Sequence, residues 1–266
     1  MTSRRVGVPN GFYTPLLCVA LGFIVMMTGC SPRTVREAEI PLVFSTADGF
    51  DLTGTIRGAS LENAPGLILV HMLGTDRHRW AHFAALADQA GYMSFAYDIR
   101  GHGDSRNRGG DAVDFRSFDQ KDWALAVGDI EAAKEALLAA GADPENIAIV
   151  GASIGANLAL IYAKNDPQIQ AVVMLSPGET YRGLEIVSVM KQFRTRPVLI
   201  ISAEGDTYSA SSSAKLKEAA PGFSELRMFA GSAHGTDLLD ARDDVPGQIL
   251  FWLRAVFEGE SARAPS

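Results

Sequence analysis

Short, continuous apolar runs alternate with amphipathic stretches along most of the chain. The runs are 66–71, 92–99, 147–152, 171–176 and 197–203, with 224–230 as a further candidate. Uninterrupted runs of this length are typical of strands that are buried on both faces of a parallel sheet. The stretches 80–90, 123–140 and 157–164 carry apolar residues three and four positions apart, as amphipathic helices do. This alternation predicts an α/β domain with a mostly parallel central sheet and helices on both of its faces.

The predicted folded domain covers residues 41–258. Its first segment alternates apolar and polar residues on either side of Asp48-Gly49, which predicts a β-hairpin that turns at this pair. Residues 30–40 are mostly polar and are interpreted as a tether. Residues 259–266 carry no apolar pattern and are interpreted as a flexible tail.

The N-terminal segment has the proportions of a cleavable signal peptide over residues 1–29. Two arginines precede the apolar run Leu16–Met27, which is shorter than the roughly 20 residues that span a membrane. Its end, "MTGC", resembles the lipobox of bacterial lipoproteins, which implies that Cys30 is lipidated. An exported protein anchored by lipid in the bacterial cell envelope is expected. Because Ser31 follows the cysteine, we expect the lipid to lie in the outer membrane, facing the periplasm, if the bacterium has two membranes. A plain secretory signal is the alternative.

Charge and cysteine content narrow the classes of partner. The formal net charge is −7, and a protein that binds nucleic acid needs a basic face, so nucleic acid is excluded as a partner. The other cysteine, Cys18, leaves with the signal peptide, so no disulfide is expected in the mature chain. The expected partners are a small-molecule acyl substrate and a membrane, to which only the lipid on Cys30 would bind. The oligomeric state is left open.

A serine stands between two glycines where the third long apolar run meets a helical pattern. The sequence "GASIG" over 151–155 matches G-x-S-x-G, in which a strained turn from strand to helix exposes the serine hydroxyl. Ser153 is therefore a candidate nucleophile. The alternative, a dinucleotide phosphate loop, lacks its third glycine, with Asn157 near that place, and lies too far along the domain.

The remaining catalytic candidates follow later strands. His234 is the one histidine after Ser153 and is the candidate base. The acid is expected between them, at Glu204 or Asp206, with Glu179 after the preceding strand as the alternative. His78 and His82 share a helical spacing, but Arg79 stands where a zinc protease has glutamate, so no metal site is expected.

These motifs resemble those of the α/β-hydrolase family, in particular its compact dienelactone-hydrolase-like and esterase-like members, over about residues 41–257. The stretches that carry the resemblance are "LVHMLGTDRHRW", "DIRGHGDS", "GASIG", "SAEGD" and "GSAHG". The resemblance implies that Ser153 is the nucleophile, Asp206 the acid and His234 the base. It also implies an oxyanion hole formed by the backbone N–H of Ile154 and that of Leu73, with Met72 as the alternative to Leu73. No cofactor is implied.

The predicted function is hydrolysis of an ester or related acyl bond through an acyl-enzyme. Hydrolysis of an amide, a peptide or a lactone by the same residues, and a non-catalytic binding protein, are the alternatives. Many relatives insert a lid before the strand at 197–203, whereas only 177–196 are available here. About one helix fits in this length, so we expect a minimal lid, a shallow site and a preference for short acyl chains.

Overall fold

The computed structural model describes Thr2, residues 39–193 and residues 196–259. The predicted signal peptide, the lipidation residue Cys30, nearly all of the tether and most of the tail lie outside these residues. By its contacts the chain divides into two units, Met1–Val35 and Arg36–Ser266, and every element given below belongs to the second. Within the described residues, no helix has the length and apolar character needed to cross a membrane.

The elements follow one another largely as the apolar pattern predicts. The strands are β1 (Ile40–Ser45), β2 (Phe50–Arg57), β3 (Pro65–Val70), β4 (Met93–Tyr97), β5 (Asn107–Arg108), β6 (Asp111–Ala112), β7 (Asp143–Ala152), β8 (Ile169–Leu175), β9 (Thr180–Tyr181), β10 (Leu184–Glu185), β11 (Val198–Ala203) and β12 (Ser224–Phe229). The α-helices are α1 (Ala81–Gln89), α2 (Gln120–Leu125), α3 (Val127–Ala139), α4 (Ile154–Asn165), α5 (Val187–Lys191), α6 (Thr207–Ala219), α7 (Asp237–Ala241) and α8 (Asp244–Phe257), with 3-10 turns at Arg77–Trp80 and Phe115–Ser117.

The main sheet has the order β12-β11-β8-β7-β3-β4-β2-β5-β6, with β1 paired to β2. The pairs from β12 to β4 are parallel, and β2 joins antiparallel to both β4 and β1. Each long apolar run that was predicted as a strand forms a strand in the structure. The predicted hairpin also forms, with Gly49 at φ 78° in its turn. The mostly parallel sheet is therefore confirmed.

Both faces of the sheet are covered by helices, because alternate residues of its central strands point into two separate apolar cores. On β3, Ile68 and Val70 pack in the core that receives α3 and α4. Leu67 and Leu69 of the same strand pack in the other core, with α1 and α8. This two-sided burial explains why the central strands are apolar without interruption. Because β3, β7, β8, β11 and β12 run parallel, their carboxyl ends lie at one edge of the sheet.

The segment between β8 and β11 differs from the single packed helix expected for it. It forms a two-residue β-hairpin, β9–β10, followed by the five-residue helix α5. The hairpin turns at Arg182 and Gly183, which take φ values of 52° and 86°. Two positive φ angles are what a tight two-residue hairpin turn requires. The apolar residues after the turn are buried as expected, with Ile186 and Met190 at 0% exposed.

Hydrogen bonds and an ion pair made by Asp98 hold the loop after β4 in place. The Asp98 carboxylate accepts hydrogen bonds from the backbone N–H groups of Arg77 (2.7 Å) and Asp104 (2.8 Å), and it also pairs with the Arg77 guanidinium. This ties the loop after β4 to the loop after β3. The His102 ring of this loop stacks on Phe115 at the start of the second 3-10 turn, with 3.9 Å between ring centroids.

Candidate active site

Ser153 lies at a sharp turn between β7 and α4. Its backbone takes φ 55° and ψ −120°, a conformation that residues other than glycine rarely adopt. Such strain costs about 1–3 kcal/mol and persists where surrounding contacts hold it. One of those contacts is the Ser153 N–H, which donates to the Leu175 carbonyl at the end of β8 at 2.8 Å. The turn places the serine side chain at the first turn of α4, at the sheet edge.

The two glycines of the motif are required by packing. A Cβ on Gly151 would lie 2.4 Å from the Gly155 carbonyl oxygen, and a Cβ on Gly155 would lie 2.4 Å from the Val70 carbonyl oxygen. Both obstacles are backbone atoms that no side-chain rotation can move. The close approach of β7, α4 and the end of β3 therefore depends on glycine at both positions, as the motif predicts.

His234 and Asp206 meet at the ends of the last two strands. His234 lies in the loop between β12 and α7, and Asp206 is the N-cap of α6, directly after β11. The distance from His234 Nδ1 to Asp206 Oδ2 is 2.6 Å. Since a carboxylate only accepts hydrogen bonds, Nδ1 carries the proton and donates it. The loop is held in place because the Gly235 N–H donates to Ser176 Oγ at 2.9 Å.

The other two candidate acids do not contact His234. Glu204 is exposed to solvent one strand end away. Glu179 forms an ion pair with Lys215, at 2.6 Å between Oε1 and Nζ. Of the three carboxylates that the sequence left open, the structure therefore brings Asp206 to the histidine.

Ser153 and His234 line one pocket of about 330 Å³. Apolar side chains from the loop after β3 and from the start of α4 form one side of it, and residues of the β9–β10 hairpin form the other. The lining residues are Met72, Leu73, Ser153, Ile154, Thr180, Tyr181, Arg182 and His234. The predicted site residues thus converge on a single cavity, with Asp206 directly behind His234.

The loop after β3 holds one peptide group in a fixed orientation. His71 Nε2 accepts a hydrogen bond from the Ile99 N–H at 2.9 Å, so the proton of this fully buried ring is on Nδ1. Nδ1 donates to the Met72 carbonyl at 2.8 Å, and the Thr75 hydroxyl donates to the same oxygen at 2.8 Å. Burial lowers the pKa of His71 to about 4, so the ring is neutral at physiological pH.

The orientation of that carbonyl determines where the Leu73 N–H points. The described residues contain no cis peptide, and in a trans peptide the C=O and the following N–H point in opposite directions. The Leu73 N–H therefore faces away from His71 and Thr75. Among the described residues, no protein group accepts a hydrogen bond from it. Ile154, the first residue of α4, likewise has an N–H without a partner inside its helix.

Residues of the β9–β10 hairpin are a part of the site that periodicity could not reveal, because two-residue strands carry no pattern. Tyr181 lines the pocket and packs against the base candidate His234. Its ring lies perpendicular to that of His234, with 6.4 Å between centroids, and its hydroxyl lies 3.2 Å from Ser209 Oγ. The signal in the sequence was Arg182-Gly183, a glycine-containing two-residue turn.

The chain also matches a known protein family. Residues 63–196, half of the chain, match the family model described as "Serine aminopeptidase, S33", a model of α/β hydrolases. The chain belongs to this α/β-hydrolase family. The matched part of the hydrolase contains β3, β7 and the Ser153 turn, whereas Asp206 and His234 follow it in the chain.

Individual relatives of the hydrolase are distant. The quorum-quenching protein AidA of Acinetobacter baumannii is 27% identical over 150 residues, which are 56% of this chain and 47% of that protein. The match therefore spans about half of that relative's length. Two solved structures are similar over most of their chains. The α/β hydrolase GrgF of Penicillium sp. sh18 has a TM-score of 0.68 at 14% identity, covering 82% of this chain and 98% of that one.

The second solved structure is a thermostable carboxyl esterase of Bacillus coagulans in complex with glycerol. It has a TM-score of 0.66 at 14% identity and covers 83% of this chain and 99% of its own. At such identities the two structures confirm the fold of the hydrolase and nothing finer. The α/β-hydrolase fold expected from the motifs is therefore confirmed by the family model and by these structures.

Proposed function

We propose that this α/β hydrolase is a serine hydrolase that cleaves a short-chain ester or a related acyl bond. The observation that carries the proposal is the arrangement around the pocket. A serine on a strained turn shares the cavity with a histidine, His234, whose Nδ1 donates to the Asp206 carboxylate. This is the arrangement by which a weak hydroxyl nucleophile is activated next to a base.

The proposed reaction begins with proton transfer from Ser153 to His234. Because Asp206 holds the proton of the imidazole on Nδ1, the lone pair of Nε2 is free to accept the serine proton. Ser153 Oγ attacks the acyl carbon, and His234 then gives the proton to the leaving oxygen. Water attacks the acyl-enzyme by the same route and releases the acid. Asp206 stays ionised and stabilises the imidazolium that forms in each step.

The N–H groups of Ile154 and Leu73 are proposed to form the oxyanion hole. Both residues line the pocket beside Ser153, and the N–H of Leu73 points away from the side where the Met72 carbonyl is held. The alternative donor, Met72, is less suitable because the oxygen of the preceding carbonyl, that of His71, lies against α4, 2.6 Å from the position of a Cβ on Gly155. In a trans peptide the Met72 N–H points away from that oxygen. Two fixed donors of this kind stabilise the charge of the tetrahedral intermediate.

Thr75→Val should lower kcat about threefold to tenfold while KM changes less than twofold. The substitution keeps the shape of the side chain but removes the hydroxyl that holds the Met72 carbonyl, so the Leu73 N–H is less well oriented toward charge that exists only in the transition state. Steady-state kinetics with a soluble ester measures both constants. Thr75→Ser, which keeps the hydroxyl, is the control, and an equal loss in that variant would contradict this role.

We favour an ester as substrate over a peptide with a free N-terminus, the substrate of the aminopeptidases after which the family model is described. An aminopeptidase must bind a substrate ammonium group, which pairs with carboxylates. None of the described residues that line the pocket carries a carboxylate. The permanently charged side chain among them is that of Arg182, which is positive. Two acids from the neighbouring strand ends are already paired, Asp206 with His234 and Glu179 with Lys215. Amide or peptide hydrolysis remains the second candidate because of the family description.

A panel of p-nitrophenyl esters from acetate to palmitate tests the proposal. We expect kcat/KM to be highest for acyl chains of about two to six carbons, because a pocket of about 330 Å³ lies at the small end of ligand cavities and leaves much of a longer chain in water, where further methylenes add little binding energy. L-Alanine p-nitroanilide is the matched amine substrate and should be a poor one. A maximum at long chains, or faster hydrolysis of the anilide, would contradict the proposal.

We further propose that the protein is a lipoprotein anchored through Cys30 in the bacterial cell envelope. The support is the arrangement of the arginines, the apolar run and "MTGC" in residues 1–30. Cells fed an alkyne fatty acid should label the wild-type protein and should not label Cys30→Ser. An unlabelled wild-type band would contradict the anchor without affecting the proposed chemistry.

A further inference from the structure

Arg182 brings a positive charge to the pocket of Ser153 and His234, and the reaction proposed above makes no use of it. The residue is exposed, and its side chain forms no ion pair or hydrogen bond with any other residue that the structure describes. By contrast, Arg77 and Arg79, which follow β3, are both paired with carboxylates. A cation at the same cavity as the nucleophile is therefore left without a protein partner.

The turn chemistry of the hairpin does not explain an arginine at position 182. Arg182 has φ 52° and Gly183 has φ 86°. A two-residue turn with two positive φ angles favours asparagine, aspartate or glycine at its first position, because other side chains are strained there. Strain of this kind in a residue at a cavity indicates that the side chain has a function of its own.

The hairpin that carries Arg182 is attached to the helix that begins at the nucleophile. Asn157 lies on α4, the helix capped by Ser153, and is fully buried. Its Nδ2 donates to the Gly178 carbonyl, before β9, and to the Leu184 carbonyl, at the start of β10, each at 2.9 Å. Both strands of the hairpin are thus tied to α4. The turn at Arg182 therefore keeps a fixed position relative to Ser153.

The acids closest in the fold to the hairpin turn are engaged elsewhere. The turn packs on the start of α2, since a Cβ on Gly183 would lie 2.9 Å from Gln120 Cγ. The carboxylates on either side of this glutamine, Asp119 and Asp122, form the capping box of α2 by accepting backbone N–H groups. Neither forms an ion pair with Arg182. A carboxylate that enters the pocket with a substrate therefore meets an unpaired guanidinium.

We propose that Arg182 determines specificity, by selecting esters that carry a carboxylate in their acyl or alcohol part. This inference rests on the proposed serine hydrolysis. A guanidinium pairs with a carboxylate through two parallel hydrogen bonds. The chain has a formal net charge of −7 and repels anions at long range, so a cation at the pocket is needed to hold one. Because the carboxylate does not take part in the reaction, the pair stabilises substrate and transition state alike and lowers KM.

Two matched pairs of esters test the proposal. Monomethyl glutarate and methyl 4-carbamoylbutanoate differ in the acyl part, which ends in a carboxylate or in a carboxamide. The esters 4-acetoxybenzoate and 4-acetoxybenzamide differ in the same way in the leaving group. For each pair, the ratio of kcat/KM for the charged ester to that for the neutral ester is measured in the wild-type protein and in two variants. Intrinsic differences in reactivity within a pair cancel when these ratios are compared between proteins.

Arg182→Asn should lower the ratio about tenfold in at least one pair, mainly through a higher KM for the charged ester, as the loss of one hydrogen-bonded charge predicts. Asparagine suits the turn, so this variant should melt at or above the wild-type temperature. Lys191→Gln removes the same charge from an exposed residue at the end of α5, outside the pocket, and should keep both ratios within twofold. In the wild-type protein the ratio should fall as the ionic strength rises to about 1 M.

The results separate this inference from the proposed function. If both ratios in Arg182→Asn stay within twofold of the wild-type values, or if Lys191→Gln lowers them equally, Arg182 does not select the carboxylate and the inference is overturned. It is also overturned if the wild-type protein hydrolyses p-nitrophenyl butyrate but neither charged ester. If the wild-type protein hydrolyses none of these esters, the proposed serine hydrolysis itself fails, and this inference fails with it.

Discussion

Ser153→Ala should lower kcat/KM for p-nitrophenyl butyrate by about 10⁴-fold or more. Without the hydroxyl no acyl-enzyme can form, and the remaining groups only orient water and bind the oxyanion. Members of such a set act as a unit, so the loss of the nucleophile removes most of the rate that all of them supply together. Steady-state hydrolysis over a range of ester concentrations, corrected for the uncatalysed rate, measures the loss.

The same variant should keep its fold. Ser153 donates its backbone N–H to Leu175, and this bond does not depend on the side chain. The melting temperature of Ser153→Ala should therefore stay within a few degrees of the wild-type value, since a change of 1 kcal/mol shifts it by about 2–4 °C in a domain of this size. More than a few per cent of wild-type activity in this variant would rule out Ser153 as the nucleophile.

Asp206→Asn should lower kcat by about 10³- to 10⁴-fold with little change in the fold. Asparagine is close to the same shape, but its amide can donate to His234 Nδ1, which shifts the ring proton to Nε2. A protonated Nε2 cannot accept the proton of Ser153, and the imidazolium also loses its neighbouring charge. The kcat of the variant with a short-chain ester measures the effect.

The other two candidate carboxylates serve as controls for this substitution. Glu204→Gln alters an exposed side chain, and Glu179→Gln breaks an ion pair with Lys215 away from the histidine. Both should retain kcat within about threefold, because exposed ion pairs contribute little. If Glu179→Gln were the most damaging of the three, the acid would follow β8, and the contact of Asp206 with His234 would have another purpose.

The sequence predicted the sheet and the position of Ser153 because both depend on local patterns. Buried strands are uninterrupted apolar runs, and the Ser153 turn needs glycine at 151 and 155, where any Cβ would meet backbone atoms. Each of these requirements is met within a few neighbouring residues. They could be recognised without knowledge of the rest of the fold.

The remaining parts of the site depend on contacts between distant segments. The residues alone left Asp206, Glu204 and Glu179 open, and only the family resemblance favoured Asp206. The packing of the loops after β11 and β12 shows which of them meets His234. The choice between Leu73 and Met72 likewise rests on the Met72 carbonyl, which His71 and Thr75 hold. The β9–β10 hairpin was predicted as helix because its strands are two residues long, too short for any periodicity.

Labelling with a fluorophosphonate tests the central claim most directly. Intact-mass analysis should show one adduct on the wild-type protein, and peptide mapping should place it on Ser153. Ser153→Ala should gain no adduct under the same conditions, and Asp206→Asn should label far more slowly. An unlabelled wild-type protein, or an adduct on any other residue, would contradict the account of this chain as a serine hydrolase that acts through Ser153.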